Sequence, residues 1–135
     1  MFVVRIELKP SSIHGLGCFA AEPIKKGQLV WQYDPRVDIR IPLSELKNFP
    51  PAAQEILKKW TYIEVRDGQE VMVLCGDHAK FMNHSEAPNV YESDDYLQEF
   101  AARDIQTGEE VTCNYFGFDN NAEEKFGLRS IQSKG

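Results

Sequence analysis

Lys80-Phe81-Met82-Asn83-His84-Ser85, followed by Ala87-Pro88-Asn89, is the stretch on which the reading of this chain turns. Three polar side chains in a row behind Phe81 and Met82 ask for a partly buried turn in which each polar group has an assigned partner, because a buried amide or imidazole without one is costly. Taken alone, the stretch is equally compatible with a purely structural Asn/His turn. Asn83-His84-Ser85 also fits the N-glycosylation pattern. However, the opening residues break their apolar run at Arg5, Glu7 and Lys9 and do not read as a secretory signal, so that match is read as accidental.

Outward from this stretch the chain reads as short strands separated by turns. Residues 61–65 and 70–75 flank Asp67-Gly68, a dipeptide suited to the positive φ angles of a two-residue hairpin. Residues 90–91 and 96–101 flank Ser93-Asp94-Asp95, and residues 110–113 follow the turn Gln106-Thr107-Gly108. Near the start, residues 2–9 alternate Val4, Ile6 and Leu8 with Arg5, Glu7 and Lys9, as a half-buried strand does, and residues 28–33 form another extended run. Helix is scarce. Pro51 to Trp60 is the clear case, with proline in its first turn, Lys58 and Lys59 in its last, and a stripe of Ala53, Ile56, Leu57 and Trp60 expected to be buried. The fold class expected is mainly β, with few short helices.

With 135 residues, 42% apolar and 27% charged, and a mean hydropathy of −0.42, the chain fits one globular domain with no bilayer-spanning stretch. A net charge of −6 argues against direct nucleic-acid binding and suits a basic partner. Three scattered cysteines, Cys18, Cys75 and Cys113, do not make a disulfide framework, and the expected location is cytoplasmic.

Two more segments carry polar chemistry. His14-Gly15-Leu16-Gly17 places two glycines where backbone can approach a ligand closely and offer its amides to a carboxylate. Glu110-Val111-Thr112-Cys113-Asn114-Tyr115 ends on an aromatic hydroxyl just past a strand. Alone, the first is also a plain loop and the second a half-buried packing tyrosine. Cys75-x-x-His78, with His84 and His14, has metal-ligand residue types but no second paired cluster at zinc spacing, so no metal is expected. A Cys75–His78 nucleophile pair is weaker still.

Read together and in order, these segments resemble the SET-domain family of lysine methyltransferases. The family's pattern is Gly-x-Gly, then Arg-Phe-x-Asn-His-Ser with Pro-Asn following, then Glu-Leu/Val-Thr-x-Asp/Asn-Tyr. The matching residues here are Gly15-Leu16-Gly17, Phe81-Met82-Asn83-His84-Ser85 with Pro88-Asn89, and Glu110 to Tyr115. The resemblance implies small curved sheets with a C-terminal pseudoknot. It assigns residues 1–119 to the SET domain, with a variable insert at about 38–60, and residues 120–135 to a tail that completes or covers the cofactor site.

The activity implied is methyl transfer from S-adenosylmethionine, leaving S-adenosylhomocysteine, to the ε-amine of a lysine in a protein or peptide, a basic tail being one such substrate. By resemblance, the cofactor lies against His14, Gly15, Leu16 and Gly17. Asn83 holds its amino end, the main chain at Phe81 and His84 meets its adenine, and the Tyr115 hydroxyl orients the methyl as the catalytic group. Tyr33, Tyr91, Phe116 and Phe118 are the candidate walls of the lysine channel. No base is needed if that channel lowers the lysine pKa by burial and by the nearby sulfonium charge.

Departures from the pattern leave an alternative open. Lys80 replaces an arginine, and Glu86 stands where many members have a zinc-ligand cysteine. No Cys-x-Cys-x4-Cys follows Tyr115, so no zinc is expected and the usual zinc-bound lid is absent. The tail or a second copy in a homodimer must then close the channel. The alternative is a SET-type module that binds cofactor or peptide with little catalysis.

Overall fold

The computed structural model describes residues 1–115. Ten strands form three small sheets. In chain order they are β1 (Ile6–Pro10), β2 (Leu16–Ala20), β3 (Leu29–Gln32), β4 (Ile39–Pro42), β5 (Thr61–Arg66), β6 (Gln69–Leu74), β7 (Asn83–His84), β8 (Val90–Glu92), β9 (Gln98–Ala101) and β10 (Glu110–Cys113). The sheet orders are β1-β2-β10-β7, β3-β9-β8 and β4-β6-β5. One helix, α1 (Pro51–Trp60), and 3₁₀ turns at Leu43–Asn48 and His78–Phe81 complete the described elements. The mainly β expectation is met. The segments expected at residues 116–135, Phe116 and Phe118 among them, lie outside the described residues.

The described residues divide into two compact units, one of Met1–Asp38 with Cys75–Asn114 and another of Ile39–Leu74 with Tyr115. In the second unit, β5 and β6 form the hairpin expected at Asp67-Gly68, whose φ angles of 52° and 75° are those the turn requires. Leu57 of α1 packs with Ile63 and Met72, backed by Ile41, Leu43, Leu46, Phe49 and Leu74. Ile56 departs from expectation at 59% exposed. A ten-residue helix on one small sheet buries only a narrow stripe. Ala53, Leu57 and Trp60 share it, while Ile56 lies one residue, about 100° around the helix, off its centre.

In the first unit the core is Cys18, Ala20, Ile24, Val30, Trp31, Cys75, Met82, Val90, Ala101, Ile105, Val111 and Cys113, each no more than 5% exposed. The strand nearest the C-terminal end of this unit, β10, lies between β2 and β7, antiparallel to the first and parallel to the second. That non-sequential insertion is what brings the distant motifs together.

Candidate functional site

The site is built around β10. On one side Glu110 and Val111 pair with Phe19 and Cys18; on the other Thr112 and Cys113 pair with Asn83 and His84. A strand flanked on both sides has little access to water, which is why Val111-Thr112-Cys113 is buried without alternation. Because β7 is only two residues long, it leaves part of β10 unpaired, and the Asn89 side chain takes over there. Asn89 Nδ2 donates to the Glu110 carbonyl at 2.8 Å, and the Thr112 N–H donates to Asn89 Oδ1 at 2.8 Å. At 2% exposed, this amide acts as one rung of a sheet. The sequence reading placed Asn89 in a motif but gave it no task.

Asn83 joins all three motif segments. Its Nδ2 donates toward the His14 carbonyl at 3.1 Å, the Leu16 carbonyl at 3.1 Å and Glu110 Oε2 at 2.8 Å. Turning the amide over would aim its oxygen at three other oxygens, one of them ionised, so the hydrogen bonds fix its orientation. Glu110 Oε1 in turn accepts from the Ser11 hydroxyl at 2.6 Å. Gly17 makes room for this arrangement, since a Cβ there would fall onto Glu110 Oε2 and within 3.1 Å of Asn83 Nδ2. Gly15 has a different reason. Its φ of +45° closes a turn in which the Ser11 N–H donates to the Gly15 carbonyl at 2.7 Å.

The structure places the other expected residues unevenly. His84 is half-buried, and desolvation lowers its pKa against an opposing pull from Glu86. Its ring is therefore neutral at pH 7. Phe81 ends the 3₁₀ turn, with Lys80 Nζ 5.8 Å from its ring centre. Tyr33 follows β3 and its hydroxyl donates to the Asp38 carbonyl at 3.4 Å. Tyr91, on β8, stacks on Phe100 with ring centres 5.7 Å apart and is 49% exposed. β3 and β8 are opposite edges of one three-stranded sheet. Tyr115 is the second residue past β10.

The thiols are poor nucleophiles. Burial pushes Cys18 up to about 12 and raises Cys75 and Cys113 as well, which removes the Cys75–His78 alternative. Among the described residues, no group of three metal-binding side chains is assembled.

Residues 15–116 match the family pattern described as SET domain. The chain is 30% identical over 119 residues to histone-lysine N-methyltransferase ATX2 of Arabidopsis thaliana, covering 82% of this chain and 11% of that protein. It is 31% identical over 136 residues to the variant-silencing SET domain-containing protein of Plasmodium falciparum (isolate 3D7), covering 88% of this chain and 5% of that protein. The chain thus spans about a tenth or less of these relatives' length. Its fold resembles Chaetomium thermophilum Polycomb Repressive Complex 2 in an autoinhibited conformation bound to S-adenosylmethionine, with a TM-score of 0.66 and 22% identity over 95% of this chain and 17% of that chain.

Proposed function

The chain belongs to the SET-domain family, and from that premise we propose that it transfers methyl groups from S-adenosylmethionine to the ε-amine of lysines in a protein substrate. The observation that carries this reading is the Asn83 amide, anchored to His14, Leu16 and Glu110 by its nitrogen. Its Oδ1 is the acceptor that remains, suited to an ammonium group. Backbone amides of residues 14–17 are suited to a carboxylate, and Gly17 keeps the approach clear of a side chain. Such a donor and acceptor set fits the amino-acid end of S-adenosylmethionine. Bound there, the cofactor would supply an electrophilic methyl on a sulfonium.

The remaining work falls to the chain. A lysine amine attacks only when neutral, and its ordinary pKa is about 10.4. A channel with aromatic walls favours the neutral amine by desolvation. Tyr33 is a wall candidate, as are Tyr91, Phe116 and Phe118 by resemblance. The Tyr115 hydroxyl orients the incoming amine and the methyl, a matter of alignment rather than proton transfer. His84 stays neutral and contributes its main chain, as does Phe81, to the adenine edge.

Incubation of the protein with methyl-labelled S-adenosylmethionine and a cell lysate tests the reading. Label on lysine Nε is expected. Stabilisation by the cofactor without any labelled lysine would show a binding module instead.

A further inference from the structure

β3, β9 and β8 carry a row of three polar groups that the proposed chemistry does not use. Trp31 pairs with Glu99, and Glu99 pairs with Glu92, so all three side chains project from the same face of the sheet. It is the covered face, because Val90 and Ala101, two residues along on the same side, are 1% and 0% exposed. Trp31 itself is 3% exposed and, among the described residues, its Nε1 is buried without a partner. Glu92 Oε1 and Glu99 Oε2 are likewise buried and unpartnered among the described residues. Glu92 and Glu99 are half-buried as residues, so part of each still meets solvent. Neither acid takes part in an ion pair among the described residues.

Two adjacent inward carboxyls with no ion-pair partner among the described residues, and only the more distant N-terminal ammonium opposing their charge, are a costly arrangement that a sequence would ordinarily avoid. Desolvation first, and then the charge of Glu92, push Glu99 up to about 8. With both acids ionised the pair calls for a positive charge between them, and Trp31 Nε1 calls for a hydrogen-bond acceptor. A metal ion answers only the first need, since an indole N–H cannot ligate it. A lysine or arginine within a polypeptide answers both, with its side-chain donors meeting the two carboxylates and a main-chain carbonyl meeting Trp31. The row is also in the right neighbourhood. Tyr33 lies two residues from Trp31, just past the end of β3, and the Cys113 thiol at the end of β10 feels both glutamates.

We propose that Trp31, Glu99 and Glu92 form a subsite for a basic side chain of the polypeptide substrate, close in sequence to the lysine that is modified. The proposal rests on the methyltransferase reading above. Preference for a basic neighbour would then be written into the β3-β9-β8 sheet rather than into the cofactor-binding network.

Mass spectrometry of a cell lysate methylated by the wild-type protein and by the Glu92→Gln/Glu99→Gln double variant separates the cases. The wild type should favour lysines with another lysine or arginine within a few positions, and the variant should lose that preference at least tenfold. The Michaelis constant for S-adenosylmethionine should stay within about twofold and thermal stability should not fall, which shows that the variant is folded. Unchanged site preference in an active variant overturns the subsite and leaves the methyltransferase reading intact. A loss of stability with unchanged preference assigns the row to a basic group of the protein itself and also overturns it. No methylated lysine with either protein sinks the methyltransferase reading, and the subsite with it.

Discussion

Two polar regions of the same compact unit are built on opposite plans. Around β10, Asn83, Asn89, Glu110 and Ser11 tie their polar groups to one another or to backbone at 2.6 to 3.1 Å. In the row across β3, β9 and β8, Trp31, Glu99 and Glu92 each keep a buried polar atom with no partner among the described residues. A satisfied network is rigid and holds its groups in place before a ligand arrives. An unsatisfied one costs stability and is retained where an incoming group supplies what is missing. The contrast agrees with the two proposals above, in which the first region fixes the cofactor's end of the reaction and the second receives the substrate.

The contrast can be broken at several points. Asn83→Ala has the largest expected effect, since it strips a donor from two carbonyls and a carboxylate. A loss of about 3 kcal/mol in chemical denaturation is expected, with cofactor affinity falling at least tenfold. Asn89→Ala leaves the Glu110 carbonyl and the Thr112 N–H unpaired, for roughly 2 kcal/mol. Gly17→Ala presses a methyl into the space that Glu110 and Asn83 share. It should cost about 1–2 kcal/mol by overpacking and weaken cofactor binding more than stability. Gly15→Ala, where nothing lies within 4 Å of an added Cβ, should act only through its positive φ.

The row should respond with the opposite sign. Glu99 binds its proton near pH 8 in the folded chain, against an ordinary value of 4.5. The unfolded chain therefore gives up that proton more easily. The carboxyl costs nothing at low pH, begins to destabilise as pH rises past 4.5, and exerts its full cost above pH 8. Glu99→Gln should match wild type in thermal unfolding near pH 4 and exceed it by roughly 1–3 kcal/mol near pH 9. Equal stability at both pH values would mean that Glu99 already has a partner.

The regular parts of the fold were legible in the sequence because they follow local rules. Asp67-Gly68 names its own turn, Pro51 to Trp60 announces a helix, and Glu110 to Cys113 reads as a strand. β7 was not legible, because two residues carry no period, and the Asn89 amide that extends it is a side chain standing in for backbone. Alternation misleads in β8 and β9. There the aromatic pair Tyr91 and Phe100 takes the opposite face, and the acids Glu92 and Glu99 point to the covered one. The juxtaposition of the Gly15-Leu16-Gly17, Asn83-His84 and Glu110 segments was implied by resemblance alone, since only the insertion of β10 between β2 and β7 creates it.

The most direct test of the central claim compares the wild type with Tyr115→Phe, both shown by titration to bind S-adenosylhomocysteine equally. Each would be incubated with methyl-labelled S-adenosylmethionine and lysate protein. Label on lysine Nε from the wild type, reduced about 100-fold or more by loss of the single hydroxyl, is the result predicted. Equal transfer by both proteins would contradict the role given to Tyr115, and the absence of labelled lysine from both would contradict the methyltransferase account itself.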